Sequence, residues 1–138
     1  MIVLSFVLLN ISTSFAAQLE TQAVNLAVKT LPKNGVRVPF LQLDLKATGG
    51  NIEVKSLTVN RTGLSTNEDF GRIWAETDNY RRTTSRQLTN DDQASLPFRT
   101  PLLIESGKRE RLTIYANLNF ESGGRTAALN LVQIEHNG

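Results

Sequence analysis

Carboxylates able to hold a hard cation gather in two stretches. Glu68 and Asp69 end the polar run after Thr62-Gly63, and Asp91 and Asp92 stand together after Thr89-Asn90. Calcium takes roughly six to eight oxygen ligands. A calcium site built from Glu68, Asp69, Asp91 and Asp92, helped by Asp78, Asn67 and Asn79, is one reading. The spacing matches no EF-hand loop, so solvated turn residues are the other. For Asp69 the alternative is a hydrogen bond to the amides of its own turn.

Aromatic and basic residues suggest a second chemistry. Trp74 with Tyr80, and Tyr115 further on, offers a platform for a sugar ring, although a tryptophan in a small β-domain more often belongs to the core. Arg81, Arg82, Arg86 and Arg99 flank Tyr80 and read either as a surface for anionic polysaccharide or nucleic acid, or as a solvated strand face. Asn10-Ile11-Ser12 and Asn60-Arg61-Thr62 match the N-glycosylation pattern.

Enzyme chemistry finds little to build on. The chain has no cysteine and one histidine, His136. Disulfides, Cys-ligated zinc and thiol nucleophiles are excluded, and a histidine cluster or a Ser-His-Asp triad has no material. Asp91 and Asp92 are sequence neighbours, which on a strand point to opposite faces, so they make a poor glycosidase pair. No catalytic residue and no cofactor are expected. The net charge of +2 does not announce a nucleic-acid partner, and none is expected.

The elements that must position these residues are short strands. With 138 residues the chain is long enough for one domain, and its 40% hydrophobic and 20% charged content suits hydroxyl-rich β-structure. Val24, Leu26 and Val28 alternate with polar neighbours and read as a strand able to reach a partner. Leu31-Pro32-Lys33-Asn34-Gly35 then turns the chain. Residues 38–47 form a strand with Leu41, Leu43 and Leu45 inward. In residues 52–60, Ile52 and Val54 share one face and Leu57 and Val59 the other, which calls for a β-bulge near Lys55-Ser56 or a strand that switches sheets. Further strands are expected at 70–75, near 80–88 and 95–99, at 102–104, at 109–117 and at 126–135, with Pro97 and Pro101 limiting the ladders. Short strands at this spacing argue an all-β sandwich of about seven to nine strands.

The N-terminus is different. Ile2 to Leu9 is apolar apart from Ser5, and Ser14-Phe15-Ala16 fits a signal-peptidase site. Residues 1–16 are read as a signal peptide or a retained apolar helix, the latter continuing over Gln18 to Leu31 in the manner of a type IV pilin-like subunit. Against that helix, no Gly-Phe precedes the apolar run and no Glu stands near its start. Residues 17–37 are an extension with a possible assembly strand, and residues 38–138 the β-sandwich.

From Val38 on, the order of features resembles a known family. The carriers are Leu41-Gln42-Leu43-Asp44-Leu45-Lys46-Ala47, Val54 to Val59 with Asn60-Arg61-Thr62-Gly63, Asp69-Phe70 with Ile73-Trp74, and Leu102-Leu103-Ile104-Glu105-Ser106-Gly107 with Leu112 to Leu118. This resembles the immunoglobulin-like β-sandwich modules of prokaryotic surface-layer-like, adhesin-like and pilus-associated proteins. The resemblance implies an extracellular or cell-surface, non-enzymatic structural protein, a subunit or module of a filament, pilus or surface layer. Its partners would be copies of itself or other surface proteins, with polysaccharide as a further partner and a membrane only through residues 1–16 if these are kept. A carbohydrate-binding or adhesin module is the alternative.

Overall fold

The computed structural model describes residues 16–26, 31–119 and 125–137. Residues 1–15, most of the predicted signal peptide or retained helix, and Val28 lie outside the described residues. Eight strands appear: β1 (Gln18–Asn25), β2 (Val38–Thr48), β3 (Ile52–Thr62), β4 (Phe70–Thr77), β5 (Tyr80–Arg81), β6 (Gln93–Ile104), β7 (Arg109–Leu118) and β8 (Ala128–Asn137). They form two antiparallel sheets, one of five strands in the order β1-β2-β7-β4-β5 and one of three in the order β6-β3-β8. The expected all-β sandwich is the fold.

Period-two alternation builds the core. Leu41, Leu43, Leu45 and Ala47 of β2 are buried, and Leu112, Ile114 and Ala116 of the adjacent β7 join them. Ile52, Val54, Leu57 and Val59 of β3 answer from the other sheet. Each such leucine stabilises the fold by about 1.5–3 kcal/mol relative to exposure. The phase change in β3 is resolved by the bulge and not by a switch of sheets: both of its ladders shift between Val54 and Ser56. The extra residue lets Ile52 and Val54 share the core with Leu57 and Val59.

Three expectations are corrected. Gln18–Asn25 is a strand paired along β2 from Gln18↔Thr48 to Asn25↔Leu41, so no pilin-like helix runs through these residues. Extended backbone lets Leu19 reach the core margin while the β2 amides find partners. The separate strands at 95–99 and 102–104 are one strand, β6. It tolerates its prolines because it is an edge strand with a wide irregularity: Val54 pairs Leu102 and Ser56 pairs Pro97, leaving Phe98 to Pro101 opposite Lys55. The strand near 80–88 is the two-residue β5 followed by isolated bridges at Thr83 and Arg86.

Candidate functional site

One side of the sandwich is sewn shut. After β4 the chain turns through Asp78 and Asn79, both at positive φ (50° and 68°), the geometry of a tight hairpin that Asp and Asn tolerate. Past β5, residues 82–86 run between the sheets. The Arg82 N–H donates to Ala75 O at 2.9 Å, and Arg86 and Ile73 exchange two bonds at 2.9 and 2.8 Å. On the other flank the Thr84 N–H donates to Pro97 O at 3.0 Å and the Arg99 N–H to Arg82 O at 3.1 Å. The buried Thr83 hydroxyl accepts from the Ala75 N–H.

Among the described residues the opposite side is open. There β1 ends one sheet and β8 the other. In register with Leu45 and Leu43, Thr21 and Ala23 sit on the core-facing side of β1, yet both are exposed. Leu131 and Ile134, opposite Val59 and Leu57 of β3, are only half-buried. Val132, the extra residue where the β3–β8 register shifts, is 48% exposed. The ends of both strands meet at one pole: Gln18 pairs Thr48, Asn137 pairs Glu53, and the Gly49-Gly50 turn between them lies against Ala16 and Ala17.

Of the residues singled out for assembly, Val24 (54% exposed) sits on β1 and Leu26 is exposed just beyond it, its N–H donating to Phe40 O. Val28 lies outside the described residues. The sugar platform does not form as expected. Trp74 keeps only 3% exposure, whereas Tyr80 is 71% exposed. Trp74 faces away from the core, but Tyr115 stacks on it at 6.3 Å between centroids and the Arg81 guanidinium covers it at 4.4 Å. The hairpin that exposes Tyr80 also lays Arg81 over the indole.

The calcium candidates are also dispersed. Buried Asp69 accepts from the Thr66 N–H at 2.8 Å and from Arg125 Nη1 at 2.9 and 3.0 Å, closing the short turn Asn67–Asp69. Asp92 pairs with Arg61, and Glu68 and Asp91 are exposed. Among the described residues no three His, Asp or Glu side chains come together to hold a cation. Arg61 spans a cleft of about 540 Å3 bounded by Asn67, Glu68, Phe70, Leu88 and Asn90, and spends its guanidinium on Asn67 Oδ1, Ser65 O and Asp92 Oδ1.

With this geometry in view, comparison with known proteins adds little. No family model matches the chain, and no curated protein matches it. A solved structure, the self-complemented MyfA, major subunit of Myf fimbriae from Yersinia enterocolitica in complex with galactose, is similar over 87% of this chain and 94% of that one. The identity is 15% and the TM-score 0.28, so fold and function rest on this chain's own residues.

One cluster escaped the sequence reading. Arg37 donates Nε to Glu76 Oε2 at 3.2 Å and Nη2 to Glu76 Oε1 at 2.8 Å, and lies 4.3 Å over the Tyr115 ring. Trp74 Nε1 donates to the same Oε2 at 2.7 Å. The Arg37 hydrogen bond holds the Glu76 carboxyl below its ordinary pKa against the opposing effect of burial, with Trp74 and Arg81 adding to the depression. Arg37 and Glu76 lie far apart in sequence, so no local pattern could have joined them.

Proposed function

We propose that this chain is a non-enzymatic structural protein of the cell surface, a subunit or module of a filament, pilus or surface layer. Neighbours join along the open seam by main-chain pairing. The observation that supports this is the asymmetry of the sandwich: residues 82–86 close one side, while among the described residues β1 and β8 leave two unpaired edges together on the other. Unpaired strand edges are templates for strand addition, in which backbone hydrogen bonds give affinity and side-chain pockets give register. The half-covered Leu19, Leu131 and Ile134 supply the apolar contact an added strand would bury. Residues 17–37 serve as the extension that carries the assembly strand, with Val24 and Leu26 outward. The immunoglobulin-like resemblance and the extracellular setting belong to the same reading. The incoming strand comes from a second copy or another surface protein.

Charge at the seam tests it. Ala23→Lys with Val132→Lys places lysines at two exposed positions, where they oppose strand addition without emptying the core. The variant is expected to give a native circular-dichroism spectrum and no polymer by electron microscopy. Polymers identical to those of the unaltered chain would overturn the role of the seam.

A further inference from the structure

We propose that the closed side of the sandwich is a binding surface for an acidic polysaccharide. It lies across the molecule from the seam and does not depend on assembly. Five of the chain's ten arginines meet there: Arg72 on β4, Arg81 on β5, Arg82 and Arg86 on the closing segment, and Arg99 on β6. All five are exposed. Their sequence neighbours Ile73, Thr83 and Phe98 take the buried positions, which leaves Arg72, Arg82 and Arg99 outside. The backbone bonds already described put Arg82 beside Arg99, and the Arg72 side chain reaches Ser85 O, next to Arg86 in the closing segment.

Most of this positive charge is uncompensated; Arg81 acts at longer range on a carboxylate, that of Glu76. Among the described residues the ion pairs use Arg37, Arg61, Arg109 and Arg125, and none of these five. Glu76, opposite Arg81 in the hairpin, is already engaged by Arg37 and Trp74. Three of the guanidinium groups are held in place by a single tie. Arg72 Nη1 donates to Ser85 O at 3.2 Å, Arg82 Nε to Thr77 Oγ1 at 2.6 Å, and Arg81 rests on Trp74. Their remaining N–H groups have no acceptor among the described residues, and a fixed arginine fork matches a carboxylate or sulfate in two-point geometry.

The shape favours a chain over a compact anion. The arginines lie across adjacent extended segments spaced about 4.8 Å apart, with no enclosing wall. Tyr80 beside Arg81 offers a ring face to a sugar. A single-stranded nucleic acid would want several aromatic faces for successive bases. Among the described residues Tyr80 is the exposed aromatic, because Trp74 is covered.

The test uses the full chain against immobilised polygalacturonate, neutral dextran and duplex DNA, at low and at physiological salt. The expected result is retention on polygalacturonate that weakens with salt, and none on dextran. Arg86→Gln with Arg99→Gln should weaken polygalacturonate binding roughly tenfold. Among the described residues neither side chain makes a hydrogen bond or ion pair, so the unfolding temperature should hold; Arg72→Gln with Arg86→Gln is the second pair should it fall. Lys108→Gln with Arg111→Gln removes equal charge elsewhere and should leave binding intact. The proposal is overturned by absent or salt-insensitive retention, by equal loss in the Lys108/Arg111 variant, or by tighter binding to DNA.

Discussion

Asn25 donates its side-chain amide to Oδ1 of Asn130 at 3.3 Å, the one side-chain hydrogen bond among the described residues that ties β1 to β8. An exposed amide–amide bond contributes about 0.5–1.5 kcal/mol at most. The β1 strand otherwise hangs on its ladder to β2, whereas β3 is paired on both flanks. Amide exchange should therefore reach residues 18–25 well before residues 52–62. Asn130→Ala should speed exchange in β1 and leave β3 unchanged. Equal protection of β1 and β3 would contradict an easily opened seam.

Asp69 has a structural task that excludes it from free cation chemistry. Its carboxylate joins Arg125, beyond β7, to the Thr66 amide. Removing it leaves the Thr66 amide and the Arg125 guanidinium without this acceptor. Asp69→Ala is expected to cost about 1–3 kcal/mol, read from urea midpoints. Calcium or EDTA should leave the midpoint of the unaltered chain where it is; a rise on adding calcium would restore the metal reading of the acidic loops.

Gly63 combines two demands. Its φ is +107°, and a Cβ there would stand 2.8 Å from Thr126 O and 2.9 Å from Ala127 Cα. Gly107 also has positive φ, +81°, but nothing lies within 4 Å of an added Cβ. Gly107→Ala should cost about 1–2 kcal/mol from backbone strain alone. Gly63→Ala should cost clearly more, since backbone atoms must also move, and thermal unfolding of the two variants side by side decides it. A smaller loss at Gly63 would mean that the Thr126-Ala127 segment gives way freely.

How far the sequence reached depends on the range of the forces involved. β2 and β7 were legible because Leu41, Leu43, Leu45 and Leu112, Ile114, Ala116 alternate without interruption. The bulge in β3 was legible because a phase change in an apolar pattern has few other causes. β6 was split because Pro97 and Pro101 read as breakers, although an edge strand with a wide irregularity needs few of the missing amides. β1 was obscured because Leu19 and Ala23 alone mark its inner face. Trp74 and the Arg37–Glu76 pair were beyond local reading: what covers an outward tryptophan, or pairs a buried carboxylate, is set by distant residues.

Glu76 ties stability to pH, and Trp74 reports it. The carboxylate is 7% exposed and accepts from both Arg37 and Trp74. Its folded pKa is lowered, chiefly by the Arg37 hydrogen bond. When pH falls through the ordinary glutamate range, about 4.3, the unfolded chain takes up the proton first and the folded chain resists. The stabilisation is thus whole above that range and disappears as pH drops through the lower folded value. Glu76→Gln should lower the urea midpoint at neutral pH and flatten its decline in acid. In the unaltered chain, Trp74 emission should change over the same acid window as its Nε1 partner protonates, and Glu76→Gln should abolish that change. An acid decline equally steep in both proteins would place the pH sensitivity on other carboxylates and remove Glu76 from the account.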